Sequence, residues 1–428
     1  MINKQSVKKQ MNMNIDDFLH NNYWIVTDYM KISDIKNVLS VNKKLNKIFK
    51  YLYEHPKFSF NYDMMLFDDD EIIVDGIIYN TDKICSFHNV TDLTFLIYYK
   101  NLRHIKFSKD FDEPIIKLKK YCPKLISVKF GNLFNQDVES DSESYLPFGL
   151  KSLYFGKNFR QSIHFLPDTL ETLYFNEYSL FCGEIKSLPK NLINLSMGEN
   201  FWCCINNLPE NLRILDLSCC EHFNQELIFP PNLEILYLGK RYNQPINNLP
   251  KNLKKIKFFD AYKCDLDTLF NHKIDNLPEN LKSIYLSEEF NQPIDNLPKK
   301  LEKLIFSVNS YFNYPVEKLP PNLKKIKFGW KFNQPINNLP KTLEVLEFDD
   351  DTEFQQSLDN LPDSIIKLSI SGNYSQKINK LPKNLKVIEI GLFMGGGYKI
   401  FIDKFTDVDG KIDYERINKK IEKCFCVH

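Results

Sequence analysis

The chain of 428 residues holds a single alanine, Ala261, beside abundant Lys, Asn, Ile, Phe and Tyr, a bias of AT-rich coding rather than of selection on the protein. It has no run of 18 apolar residues, which argues against a membrane-spanning helix and against a membrane partner. The basic start MINKQSVKKQMNMN leads into neither an apolar stretch nor a small-residue cleavage site, so no secretory leader is read there. Formal net charge is +1, and the whole-chain field therefore steers the protein neither to nucleic acid nor to an anionic surface. The ten cysteines are scattered, with two adjacent pairs, and lack the framework spacing of a small secreted domain. Reduced thiols in an intracellular, cytoplasmic monomer are the expectation.

Signatures of chemistry are missing as well. Cys203, Cys204, Cys219, Cys220 and His222 crowd two successive segments, but the pairs lack C-x-x-C spacing and no metal site is assigned. The eight histidines are dispersed, without a recognisable Cys–His–Asp arrangement. Asp68-Asp69-Asp70-Glu71 and Asp349-Asp350-Asp351 do not follow a calcium-loop pattern, and Gly395-Gly396-Gly397 lacks the context of a phosphate loop. No catalytic residue, cofactor or metal follows, and the chain is expected not to be an enzyme.

What is present is repetition. The stretch FNQPINNLPKTLEVLEF (Phe332 to Phe348) recurs as FNQPIDNLPKKLEKLIF (Phe290 to Phe306) and YNQPINNLPKNLKKIKF (Tyr242 to Phe258). Leu-Pro dyads run from Leu146-Pro147 to Leu381-Pro382, and after each comes L-x-x-L-x-L, as in Leu343, Leu346 and Phe348. With degenerate copies at Leu102, Ile105, Phe107 and at Leu125, Val128, Phe130 there are fourteen units. The alternating end of each unit reads as a short strand with two side chains in and one out. Proline then falls outside the strand, where its missing N–H costs nothing. Phe332, Ile336 and Leu339 supply further inward residues, and Asn333 and Asn338 lie at turns where they can bond backbone that no ladder satisfies.

A single such coil buries too little to offset the entropy of ordering it, so the coils must stack. The fold expected is mainly β: a solenoid with one long parallel sheet of about fourteen strands, preceded by a small helical N-terminal domain. Proline interrupts every candidate helix on the back of the coils, which predicts irregular or extended backs. The longer coils carry their extra residues just after the strand, at Asn176 to Leu180, Phe259 to Leu269, Ser307 to Tyr311 and Asp349 to Glu353. These predict loops protruding from one edge on alternate coils. Short coils often place glycine there, at Gly156, Gly198, Gly239 and Gly329, as a tight turn would favour.

The pattern F-N-x-P-I-x-x-L-P-x-x-L-x-x-L-x-F resembles the FNIP repeat, a leucine-rich-repeat relative found chiefly in amoebae and the giant DNA viruses that infect them. The resemblance implies a leucine-rich-repeat-like solenoid over residues 102–390. Upstream, Ser33, Asp34, Ile35, Val38 and Leu39, then Leu45, Ile48, Phe49 and Leu52, read as two short helices. The segment is similar to the second half of an F-box, with Ile32, Asp34, Ile35, Leu39, Val41, Lys43 and Phe49 at fitting positions, although the usual opening Leu-Pro is absent. That resemblance implies a Skp-type adaptor of a cullin ubiquitin ligase as partner, held through Ile32, Ile35, Leu39, Val41, Leu45 and Phe49. Packing of the same helices as a cap on the first coil is the competing account. The expected organisation is a disordered tail at 1–14, a helical F-box-like domain at 15–60, a linker and cap at 61–101, the repeats at 102–390 and a C-terminal cap at 391–428.

The remaining candidate is a surface. The residue between the last two apolar positions of each strand points outward, forming a column that includes Tyr154, Tyr174, Tyr237, Lys257, Tyr285, Ile305 and Lys327. Aligned tyrosines and an outward isoleucine suit a protein-binding face, while tyrosine also serves as a cross-strand stabiliser. RNA stacked on the tyrosines with Lys255, Lys257, Lys325 and Lys327 is a rival that the acidic members of the column oppose. The sequence therefore points to a protein-interaction scaffold, in its sharper form the target-recruiting subunit of a ubiquitin ligase. A repeat-only structural or virion-associated protein is the alternative, and for a viral protein the location would be the host cytoplasm.

Overall fold

The computed structural model describes residues 59–61, 66–68, 71–74, 77–80 and 86–425, apart from 95, 97–98, 206, 260–269, 392–396 and 407–411. The F-box-like segment, with Ile32, Ile35, Leu39, Val41, Leu45 and Phe49, lies outside the described residues. The chain divides into two compact units, Met1–Ser152 and Leu153–His428.

In the first unit, β1 (Ser59–Asn61) pairs in parallel with β5 (Ser86–Val90), which pairs in parallel with β6 (His104–Phe107), and β6 with β7 (Ser127–Lys129). Parallel stacking therefore reaches upstream of Leu102. The strands β2 (Leu66–Asp68), β3 (Glu71–Val74) and β4 (Ile77–Asn80) form a separate antiparallel sheet. Between β5 and β6 the register shifts, and there Asn89 takes φ 58°, a left-handed conformation that asparagine tolerates. A one-turn helix, α1 (Leu118–Tyr121), buries its first residue, Leu118. Phe107, Phe111, Phe130 and Phe134 stack in pairs inside.

The second unit carries one short strand per coil. These are β8 (Ser152–Phe155), β9 (Thr172–Phe175), β10 (Asn194–Ser196), β11 (Ile214–Leu217), β12 (Ile235–Leu238), β13 (Lys255–Phe258), β14 (Ser283–Leu286), β15 (Lys303–Phe306), β16 (Lys325–Phe328), β17 (Val345–Phe348), β18 (Lys367–Ser371) and β19 (Val387–Gly391). With β8 beside β9, the strands β9 to β19 run parallel, each paired with the next. Matching positions face one another: Leu236 meets Ile256 and Leu238 meets Phe258. The alternation explains the strands, since in Lys325–Phe328 the side chains of Ile326 and Phe328 are fully buried while both lysines face out. Each such pair contributes roughly 1.5–3 kcal/mol per side chain on burial. The array ends on β20 (Gly397–Phe401), antiparallel to β19, and on α2 (Tyr414–Phe425). Asn418 of α2 bonds both backbone groups of Ile378, accepting from its N–H and donating to its C=O.

Proline acts at a defined point. In every unit from Leu150 to Leu385 the proline carbonyl accepts from the N–H three residues on, at 3.1 Å for Leu253 to Pro250 and 3.0 Å for Leu343 to Pro340. The dyad thus opens a turn that delivers the chain to the strand, and no residue from 156 to 386 is helical among those described. Backs free of helix follow from the same prolines.

Two side-chain ladders replace the backbone ladder away from the strands. The F-N asparagine accepts from the N–H of its counterpart one coil on: Asn313 from Asn333 at 2.9 Å, and Asn333 from Gln355 at 3.0 Å. Asn333 has the expected role, but Asn338 is exposed and no such link is made by it. Its expected task falls to the asparagine two residues after proline, as Asn252, Asn280 and Asn322 each donate to a carbonyl of the preceding coil. Beside the first ladder the aromatics of the F-N motif stack, with centroids 6.0 to 6.3 Å apart along Phe270, Phe290, Phe312, Phe332, Phe354 and Tyr374.

The longer coils depart from expectation. Their extra residues close into turns, with Ser179 N–H on Asn176 O, Ser310 N–H on Ser307 O and Thr352 N–H on Asp349 O. Ser179, Ser310 and Thr352 are buried while Tyr178, Asn309 and Asp350 are exposed, so at these three places the insert is a short closed turn anchored inward at one residue and not a long loop. The glycines of the short coils have a corresponding reason that is not the one expected. No left-handed φ occurs at Gly198, Gly239 or Gly329. Instead a Cβ at Gly198 would lie 2.3 Å from Asn176 O, and one at Gly329 2.1 Å from Ser307 O, because each glycine seats the turn of the coil before it.

Candidate interaction face

Strand pleating sends two residues of each strand outward, its first and its third. The third-position column is the one expected from the sequence, and the structure places Tyr154, Tyr237, Lys257, Tyr285, Ile305 and Lys327 half-buried on it, with Tyr174 exposed. The first-position column runs Ile235, Lys255, Ser283, Lys303, Lys325, Val345 and Lys367, in register strand to strand. Lys303 and Lys367 were not among the expected site residues. Their signal was available, since in a strand the residue two before an outward position also faces out.

The face is not uniform. At β8 and β9, Tyr154 and Tyr174 lie with ring centroids 5.9 Å apart. Burial, then the neighbouring Cys219, Glu177 and Asp216, pushes the Tyr174 hydroxyl above its ordinary pKa. From β12 to β15 the chemistry becomes cationic and aromatic. Lys255 Nζ donates to the Tyr237 hydroxyl at 3.1 Å and lies 4.9 Å from that ring and 5.5 Å from the Tyr285 ring. Lys257 sits 3.8 Å over the Phe259 ring and 5.6 Å from Tyr285. The Tyr237 and Phe259 rings meet edge to face at 5.8 Å. Register sets Ile305 between Tyr285 and Lys327.

Beyond β15 the lysines are matched. Lys325 pairs with Glu347 at 2.7 Å, Lys327 with Asp349 at 3.2 Å, and Lys367 bridges Glu347 and Glu389 at 3.2 and 2.7 Å. Lys399 of β20 adds a fourth cation at 2.8 Å from Glu389. Hydrogen bonds from Lys367 and Lys399 hold the Glu389 carboxyl down at about 2. Burial works to raise Glu347, but Lys325 and Lys367 outweigh it and keep that carboxyl below its ordinary value.

The cysteine-rich coils make contacts of another kind. Cys203 Sγ lies 3.2 Å from Cys182 O and Cys204 Sγ 3.6 Å from Gln225 Oε1. Among the described residues no group of three His, Cys, Asp or Glu is placed to hold a metal ion. No helix among them is long and apolar enough to cross a membrane.

Strands of three to five residues that recur every 20 to 22 positions over most of the array, pair in parallel and lead out of a proline turn define a leucine-rich-repeat-like solenoid. The FNIP Repeat family matches this chain at residues 134–178, 223–264, 270–309 and 312–351. An FNIP repeat-containing protein of Dictyostelium discoideum is 29% identical over 154 residues, which are 35% of this chain and 26% of that protein. The crystal structure of CroV588, described as a novel circular LRR protein, is 30% identical with a TM-score of 0.57, covering 79% of this chain and 53% of that one. The chain thus spans about a quarter of the curated relative and about half of the solved structure.

Proposed function

We propose that the protein is a non-enzymatic interaction scaffold that holds a protein target on the outward face of its sheet. The observation that carries this reading is the patch of Tyr237, Tyr285 and Ile305, aromatic and aliphatic side chains held half-exposed by register on a rigid support. Aromatic side chains with few rotors lose little entropy on contact, and a preformed sheet adds none of its own. The finer part of the proposal is that residues 15–60, through Ile32, Ile35, Leu39, Val41, Leu45 and Phe49, dock on a Skp-type adaptor of a cullin ubiquitin ligase in the cytoplasm. The solenoid would then raise the effective concentration of the target near the transfer machinery, with no chemistry done by this chain.

The two parts separate experimentally. Co-purification of the full chain with a Skp-type adaptor, lost when Ile35, Leu39 and Val41 are changed to Asp, is the expected result for the ligase role. An unmutated chain that fails to bring down the adaptor rejects that role and leaves a repeat-only scaffold. Replacing Tyr285 and Ile305 by Asp is expected to release the target. Retention of the target by that variant would remove the outward face from the mechanism.

A further inference from the structure

The lysines of the outward face fall into two groups, and the difference points to the chemistry of the target. Lys325, Lys327 and Lys367 are each within 3.2 Å of a carboxylate of this chain. Lys255 and Lys303 stand in the same first-position column, and neither has a carboxylate partner among the described residues. Lys255 leans on Tyr237 and Tyr285 instead, an arrangement that holds the ammonium in place without neutralising it. Lys303 is exposed. Both flank the strand of Tyr285, with Ser283 as their common register neighbour. Their backbone positions are therefore two strand spacings apart, about 10 Å.

On this basis, and resting on the docking face proposed above, we infer that the target is an acidic segment of a protein: two carboxylates about 10 Å apart meet Lys255 and Lys303, and an apolar side chain between them lies on Tyr285 and Ile305. That separation matches acidic residues three apart on a polyproline II chain, where three residues complete one turn at about 3.1 Å each and both carboxylates lie on one side. Charge complementarity favours a short acidic peptide over a nucleic acid. From β16 onward the lysines are already neutralised by Glu347, Asp349 and Glu389, and Asp216 precedes the patch on the other side, so the unneutralised positive charge spans only a few strands, too short to track a polyphosphate backbone. A peptide with two or three carboxylates fits inside those limits.

The test uses the full chain and a fluorescein-labelled peptide, Gly-Glu-Ser-Phe-Glu-Gly, followed by polarisation at two salt concentrations, with a Lys-for-Glu copy and a single-stranded uridine 12-mer as comparison probes. The expected result is that the acidic peptide binds, the lysine copy does not, and Lys255→Glu with Lys303→Glu weakens binding about tenfold or more while inverting the preference between the two peptides. Lys251→Glu, an exposed change at the turn of the same coil, is expected to leave binding unchanged. Inversion of preference requires a folded variant, so a misfolded double mutant does not mimic it, and Lys255→Ala with Lys303→Ala provides a milder second measurement. No peptide binding by the unmutated chain, unaltered binding by both double variants, or tighter binding of the uridine probe that is lost in the same variants would overturn the inference. A target that is lost on Tyr285→Asp with Ile305→Asp but kept by both lysine variants overturns the acidic chemistry and leaves the docking face intact.

Discussion

Adding one methyl group at Gly329 tests whether the glycines of the short coils serve close approach or chain flexibility. A Cβ there would sit 2.1 Å from Ser307 O and 2.8 Å from Ser310 Cβ, so the neighbouring turn must move. That turn is closed by Ser310 N–H on Ser307 O, and the Gly329 carbonyl itself accepts from Thr352 Oγ1 at 2.9 Å. Overpacking costs about 1–3 kcal/mol, and partial loss of the two hydrogen bonds adds on the order of 1 kcal/mol. Reduced freedom of the unfolded chain returns about 0.4–1 kcal/mol. A net loss of about 2 kcal/mol is expected for Gly329→Ala. Gly149 supplies the control: nothing lies within 4 Å of its Cβ position, so Gly149→Ala is expected to be neutral or to stabilise by up to about 1 kcal/mol. Long repeat arrays depart from two-state unfolding, so the measurement is hydrogen exchange at the amides of Ser310, Phe332 and Thr352 alongside urea unfolding. Faster exchange confined to those coils supports the account. Equal effects of the two alanines, or none at Gly329, would refute it.

Further outcomes follow from the ladders and the ion pairs. Asn333→Leu is expected to cost about 1–2 kcal/mol by leaving the Gln355 N–H without its acceptor and the Gln356 amide with only the Asn333 backbone carbonyl, whereas Asn333→Asp is expected to be tolerated. The precedent is Asp112, which accepts from Asn135 N–H at 2.8 Å; unchanged exchange at Gln355 in the leucine variant would contradict the ladder. Acid is expected to loosen the last coils first. Glu389 is held at about 2 against an ordinary 4.5, so its stabilisation is complete above the ordinary value and is lost as pH falls from 4.5 toward 2. With the carboxyl partly exposed to solvent, the amount is about 1–2 kcal/mol. Burial and the adjacent Asp349 raise Asp350 and Asp351, which act in the opposite sense and regain stability as they protonate. Glu389→Gln is expected to flatten the pH dependence of exchange in β18 and β19, and an unaltered profile would show that the pairs contribute nothing.

Much of the architecture could be read from letters alone because its causes are local. Ile326 and Phe328 alternate with Lys325 and Lys327, and that period of two already separates inside from outside. Pro340 blocks helix wherever it stands, and Phe332 recurs at a spacing that only stacked coils satisfy. The tyrosine column could be written down for the same reason. What stayed hidden depends on a neighbour some twenty residues away. Gly329 looks like any turn glycine until the Ser307 carbonyl is placed against it, and Asn338 looks like Asn322 until the partner backbone shows which of them it meets. Lys255 and Lys325 are the same residue type at the same position of their strands. Only the coils stacked on either side give one of them a tyrosine hydroxyl and the other a carboxylate, because hydrogen bonds and charges act across the stack at distances that the order of residues along a coil does not specify.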